Sequence, residues 1–162
     1  MNKYLVIDPC YMCQNDEVWQ NVCYAIFDES NESYDYSKGA KVLSEYLGTE
    51  VVMESTGYGD WSNHIWGPNV LENEFYADAG MVAVVKLTDR VLEEIHKDYT
   101  YIPGAIFETE ADLDLKSCVE FNTDNPNWTV VRIRTPEGLI ESDDSDEDDD
   151  EWDEDEVDDE DY

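Results

Sequence analysis

Cys10 and Cys13, two residues apart in Pro-Cys-Tyr-Met-Cys, are the first side chains of this 162-residue chain whose type and spacing could do chemistry. Paired thiolates at that spacing suit a tetrahedral zinc ion or a redox dithiol. Zinc needs two further ligands, to be drawn from Cys23, Cys118, His64 and His96, and no two of these form a second close pair. A redox dithiol sits at the start of a helix that follows a strand, whereas the helical pattern here begins some residues later. Ordinary reduced cysteines are the expectation, with no metal and no cofactor.

The next candidates are carboxylates. Asp8, Asp60 and Asp78 each stand beside a strand end or a glycine turn and would be the trio of a metal-dependent hydrolase. With forty-two Asp and Glu in the chain, however, some carboxylates meet by chance, and Asp78 before Ala79-Gly80 equally suits a turn held by its own side chain. Gly57-Tyr58-Gly59 has no Lys or Arg close behind it and lacks the pattern of a phosphate loop. The aromatic residues Tyr58, Trp61 and Trp66 form either an exposed binding patch or a hydrophobic plug over the sheet, with burial the safer expectation.

The elements that must position these residues follow from periodicity. Lys3 to Asp8 is a β-rich run stopped by Pro9. Asn15 is a good N-cap, and Val18, Trp19, Val22, Cys23, Ile26 and Phe27 share one helical face. Residues 28–39 read as a loop. Ala40 to Tyr46 fits a short helix or a strand, and pairing it with Glu50 to Ser55 across the Gly48-Thr49 turn favours a hairpin. Residues 57–73 read as a long aromatic loop, and Met81 to Leu87 as a strand covered on both faces. A short helix with Val91, Leu92 and Ile95 in one stripe follows Thr88-Asp89. Three β-like runs come after Pro103-Gly104: Ala105 to Thr109, Leu113 to Phe121 and Trp128 to Arg134, the last two joined by a turn at residues 124–127. The pattern predicts an α+β fold, a compact domain over residues 1–136 with a mostly antiparallel sheet and one main helix, followed by a disordered acidic tail over 137–162.

Ile7-Asp8-Pro9-Cys10-Tyr11, Thr56-Gly57-Tyr58-Gly59-Asp60 and Tyr76-Ala77-Asp78-Ala79-Gly80-Met81 resemble motifs in a group of small proteins of tailed bacteriophages and related bacteria. The resemblance covers roughly residues 4–87. It implies a phage origin and a compact β-rich fold, and it carries over no activity or catalytic residue. Trp61 stands where such proteins often continue with glycine.

Charge dominates everything else. Nine Lys and Arg face forty-two acids, for a net charge of −33. Seventeen of the acids fall in the twenty-two residues from Glu141 to Tyr162, which contain no cation; the remaining 140 residues still carry −16. A run so dense in carboxylates has no apolar face to offset chain entropy, so an extended, solvated tail is expected. At ~3.3 Å per residue its charges recur about every 4 Å, close to the ~3.4 Å phosphate spacing of one DNA strand. Ser142 and Ser145 would add charge if phosphorylated.

Nine scattered cations do not make a phosphate-binding patch, which argues against direct nucleic-acid binding. The start of the chain lacks the look of a signal peptide and no apolar run approaches a membrane span, so the cytoplasm is the expected location. The expected partner is a basic protein surface, probed by Asp143, Asp144, Asp146, Glu147, Asp148, Asp149 and Asp150, with Trp152 and Tyr162 as aromatic anchors in a docking peptide. The leading expectation is a nucleic-acid-mimicking inhibitor of a host nucleic-acid-handling or defence protein. A chaperone-like shield for a basic client and a metal-dependent hydrolase are the alternatives.

Overall fold

The computed structural model describes residues 1–28, 32–57, 61–123 and 128–143, with Asp28 and Trp61 described by their backbone. In chain order these are β1 (Asn2–Ile7), a 3-10 turn (Pro9–Met12), α1 (Asp16–Ile26), β2 (Phe27–Asp28), β3 (Ser33–Tyr34), α2 (Tyr36–Leu47), β4 (Val51–Ser55) and β5 (Trp61–Trp66). Then come β6 (Val70–Glu72), β7 (Glu74–Ala77), β8 (Met81–Lys86), α3 (Asp89–His96), β9 (Ala105–Thr109), α4 (Leu115–Cys118), β10 (Val119–Asn122), β11 (Val130–Thr135) and β12 (Gly138–Ser142).

Three layers result. The first sheet has the order β4-β8-β1-β9-β6 and the second β10-β11-β12-β5-β7, with every recorded pairing antiparallel. Alternation along the central strands explains the layering. Leu5, Ile7, Ala83 and Val85 point to α1, α2 and α3, where they meet Val22, Ile26, Leu43, Val91 and Ile95. Tyr4, Val6, Val82 and Val84 point the other way, onto Ile65, Phe75, Val131, Ile133 and Ile140 of the second sheet. β1 and β8 are therefore covered on both faces, as their continuous apolar runs require. Among the described residues no element covers the outer face of the second sheet, where the alternating exposed residues of β11, β12 and β5 lie.

The α+β class and the antiparallel sheets match the sequence pattern, but several assignments change. α2 is a twelve-residue helix, not half of a hairpin. The Asp35 carboxylate accepts the Ser37 N–H at its start, and Ala40, Leu43 and Leu47 make a helical stripe that outcompetes the Val42/Ser44/Tyr46 alternation. The fold thus has two main helices rather than one. Residues 61–66 and 70–72 are strands inside the supposed aromatic loop, and residues 115–118 are a helical turn. The turn expected at residues 124–127 lies outside the described residues.

The domain boundary also moves. Glu137 accepts hydrogen bonds from the Thr109 hydroxyl and the Glu110 N–H, and β12 is the central strand of the second sheet. Residues 137–142 belong to the folded body, not to a tail. Gly67 makes this possible: at φ 155° it brings β5 so close to β12 that a Cβ would stand 2.7 Å from the Leu139 carbonyl.

Candidate functional site

The described parts of the three motifs, with only Thr56 and Gly57 of the second, meet at one end of the first sheet, and Asp8 joins the first to the third. Its side chain is fully buried at the end of β1. One oxygen accepts the Cys10 N–H at 2.9 Å; the other accepts the N–H groups of Asp78 (2.9 Å), Ala79 (2.8 Å) and Met81 (3.3 Å). Gly80, in the left-handed region at φ 78°, turns its carbonyl to the Thr56 N–H at 2.9 Å. The buried carboxylate thereby accepts four backbone N–H groups, which satisfy it without a cation. Pro9 fits because it opens the 3-10 turn, where no donor is needed.

Asp8 is a structural clamp, which corrects its place among catalytic candidates: its oxygens already accept four amides. Asp78 contributes its backbone to that clamp while its side chain is exposed, and Asp60 lies outside the described residues.

The thiols are placed against reactivity. Burial, then the negative charge of Asp8 and Asp78, pushes the Cys10 thiol far above its usual range; burial pushes Cys13 up to about 11. Cys13 packs in the core between helices and first sheet, whereas Cys118 packs against the core between the two sheets. His64 is on the second sheet and His96 is exposed at the end of α3. Among the described residues, no three His, Cys, Asp or Glu gather as a metal site. All four cysteines are free thiols.

A second cluster forms where β12 ends. Trp66, the last residue of β5, is 54% exposed on the outer face of the second sheet, so it is not the plug that burial of the aromatic group would have made. Its indole N–H donates to one Asp143 oxygen at 2.5 Å, and His64 Nδ1 lies 3.4 Å from the other. The rings of His64 and Trp66 stack at 5.7 Å. The Trp128 indole N–H donates to the Asp143 carbonyl at 3.1 Å, and the Asp143 N–H donates to the His64 carbonyl at 3.1 Å. Asp143 is thus fixed by three aromatic side chains and a backbone bond at the point where the acidic segment begins. Ser142 is buried, its hydroxyl accepting the Val131 N–H at 2.8 Å, which removes it as an accessible phosphorylation site.

His64 and Trp128 were not singled out as partners of the segment. The signal was the turn Thr-Pro-Glu-Gly followed by Leu-Ile-Glu-Ser, a hairpin continuation hidden by the acids that follow. Of the other expected binding residues, Trp61 has a described backbone within β5. Tyr58, Asp144, Ser145, Asp146, Glu147, Asp148, Asp149, Asp150, Trp152 and Tyr162 lie outside the described residues.

The remaining surface is acidic across all layers. Exposed acids come from α1 (Asp16, Glu17), α2 (Glu45), α3 (Asp89, Glu93), β6 (Glu72), β10 (Glu120) and the connecting loops. Five of the nine cations are already in ion pairs: Lys86 with Asp112, Arg90 and Lys97 with Glu94, Arg132 with Glu141, and Arg134 with Glu120. Among the described residues Glu94 is the other buried acid, accepting the Tyr46 hydroxyl at 2.6 Å. Burial opposes its ionisation, but hydrogen bonds from Lys97 and Tyr46 and the charges of Lys97 and Arg90 outweigh it and hold the carboxyl below the ordinary range.

No helix among the described residues is long and apolar enough to cross a membrane. No family model, curated protein or solved structure matches the chain.

Proposed function

We propose that the protein is a non-enzymatic acidic binder that inhibits a nucleic-acid-handling or defence protein of its host, competing with nucleic acid for phosphate-binding Lys and Arg. The observation that carries this reading is charge: −33 over 162 residues, with five of only nine cations already neutralised by neighbouring acids. Such a surface raises the association rate with basic partners and weakens steeply as salt rises. The sequence motifs support a bacteriophage setting, where the partner is a bacterial protein in the host cytoplasm. The fixed root at Asp143 supports a division of labour in which the body holds the start of the acidic segment and residues 144–162 present it.

The test uses the full chain as bait in bacterial lysate at ~0.05 M and ~0.3 M salt, a range over which counterion-dependent contacts lose much of their strength. The expected catch is a nucleic-acid-binding protein, released by added DNA or RNA and by the higher salt. A catch that keeps its nucleic acid while bound, or that contains no basic protein, would overturn the proposal.

The spread of exposed acids over all three layers favours one second reading, a chaperone-like shield for a basic client. Ending the chain at Asp143 distinguishes the two. A shield that works through residues 144–162 loses its client, whereas an inhibitor that also uses the body keeps measurable affinity. The deletion must start at Asp144, because Glu141 to Asp143 are part of the fold.

A further inference from the structure

At Asn73, between β6 and β7, the chain crosses from the first sheet to the second, and each of these strands is outermost in its sheet. A cleft of about 350 Å³ opens at this corner, against residues 101–106 that lead into β9. Glu72, Glu74, Tyr76, Tyr101, Ile102 and Ile106 line it, and no Lys, Arg or His does. His64, opposite Glu74 in the β5–β7 register, is engaged by Asp143 at 3.4 Å. Tyr76 is 40% exposed and Tyr101 59%. A hydrogen bond to Glu74, then the charge of Glu74, pushes the Tyr76 hydroxyl above its ordinary range, as expected where negative charge is uncompensated. The Tyr101 ring makes a T-shaped contact with Tyr99 at 6.0 Å, and Tyr99 makes another with Tyr11 at 5.3 Å, so Tyr101 is held in place although exposed.

We infer that this cleft receives an arginine side chain of a basic protein partner, its guanidinium against the Tyr76 and Tyr101 rings and paired with Glu72 and Glu74. Charge complementarity carries the assignment: two carboxylates with no cation in the lining, on a molecule of charge −33, favour a cationic occupant over a neutral or acidic one. The tyrosines narrow it to arginine. A guanidinium is planar and weakly hydrated, stacks on aromatic faces and pairs with carboxylates through parallel N–H donors, whereas an ammonium is a compact, strongly hydrated point charge. Ile102 and Ile106 offer apolar surface to the methylenes of the arginine stem. An arginine held in this way is withdrawn from phosphate, which gives the folded body a share in excluding nucleic acid.

The site rests on the basic partner of the proposed function, but a small arginine derivative tests it, so its failure leaves the lysate capture to be judged separately and a failed capture leaves the site measurable. Amide spectra of the full chain at ~0.15 M salt, where diffuse contacts are screened, are recorded with N-acetylarginine amide, its lysine counterpart and the uncharged isostere N-acetylcitrulline amide. Arginine should give saturable shifts at Glu72, Tyr76, Tyr101 and Ile106, lysine weaker ones at the same amides, and citrulline none. Tyr101→Ala should weaken arginine binding about two- to five-fold, the scale of one exposed cation–π contact, and Tyr101→Phe should retain it. Glu72→Gln/Glu74→Gln should abolish it. Unmoved Leu5 and Val84 amides check that each variant keeps the fold. Shifts that fail to saturate at the cleft, responses to lysine or citrulline equal to that of arginine, or arginine binding untouched by Tyr101→Ala and Glu72→Gln/Glu74→Gln would overturn the inference.

Discussion

The interior acids and the acid at the chain's exit use the same functional group in opposite ways. Asp8 is sealed at the end of β1 and satisfied by four backbone amides, with no cation in the set. Asp143 stands half-buried at the end of β12, its carboxylate accepting the Trp66 indole N–H and facing His64 Nδ1 at 3.4 Å, while its backbone carbonyl accepts the Trp128 indole N–H. Glu94 is a third case, buried but anchored by Arg90, Lys97 and Tyr46. The difference teaches that a carboxylate in a motif is not by itself chemistry: Asp8 spends its lone pairs on architecture, whereas Asp143 marks where architecture hands over to a charged segment.

Breaking the first side of this comparison should have the largest effect. Asp8→Ala leaves the Cys10, Asp78, Ala79 and Met81 amides without the buried carboxylate they share, and roughly 4 kcal/mol of stability should be lost in urea unfolding. Asp8→Asn, which retains one acceptor oxygen, should lose less. A loss below ~1 kcal/mol for the alanine change, the scale of an ordinary hydrogen bond, would mean that water substitutes for the clamp.

Glu94 sharpens the contrast through pH. Its folded-state pKa is lowered, so its stabilisation is fully present above the unfolded value of about 4.3 and is lost as pH falls through the folded one. Thermal unfolding of the native chain and Glu94→Gln should differ most near neutral pH and converge in acid. Tyr46→Phe removes a hydrogen bond to that charged group and should cost about 1.5–3 kcal/mol at neutral pH, shrinking as Glu94 protonates.

The exit region should respond more gently. Trp66→Ala removes the indole donor and the stack on His64, and about 1 kcal/mol of global stability is expected to go with it. Its clearer signature is faster hydrogen exchange at the Asp143 amide while the Leu5 and Val84 amides remain protected. Equal acceleration everywhere would show that Trp66 supports the whole fold rather than the root. Arg132→Ala, on the same open face, breaks an exposed pair with Glu141 and should change stability by less than ~1 kcal/mol.

The sandwich core was legible because β1 and β8 are continuous apolar runs and α1 carries both its cap and its stripe. α2 was not, since Val42, Ser44 and Tyr46 alternate like a strand and the deciding residues, Leu43 and Leu47, acquire meaning only against Ile7 and Val22 on other elements. β12 was hidden for a different reason: Glu141 and Asp143 read as the start of the acid run, and only pairing with Arg132 and capture by Trp66 reveal them as part of the body. Asp8 drew notice as a catalytic candidate beside a strand end, and its clamping role was not legible because three of its four donors come from residues seventy or more positions away.

The most direct test of electrostatic imitation is the affinity of the full chain for its captured partner across a salt series, measured with and without competing DNA or RNA. The account predicts that log K falls linearly with log salt and that nucleic acid and this protein exclude one another. An affinity indifferent to salt, or a stable complex of all three components, would contradict it.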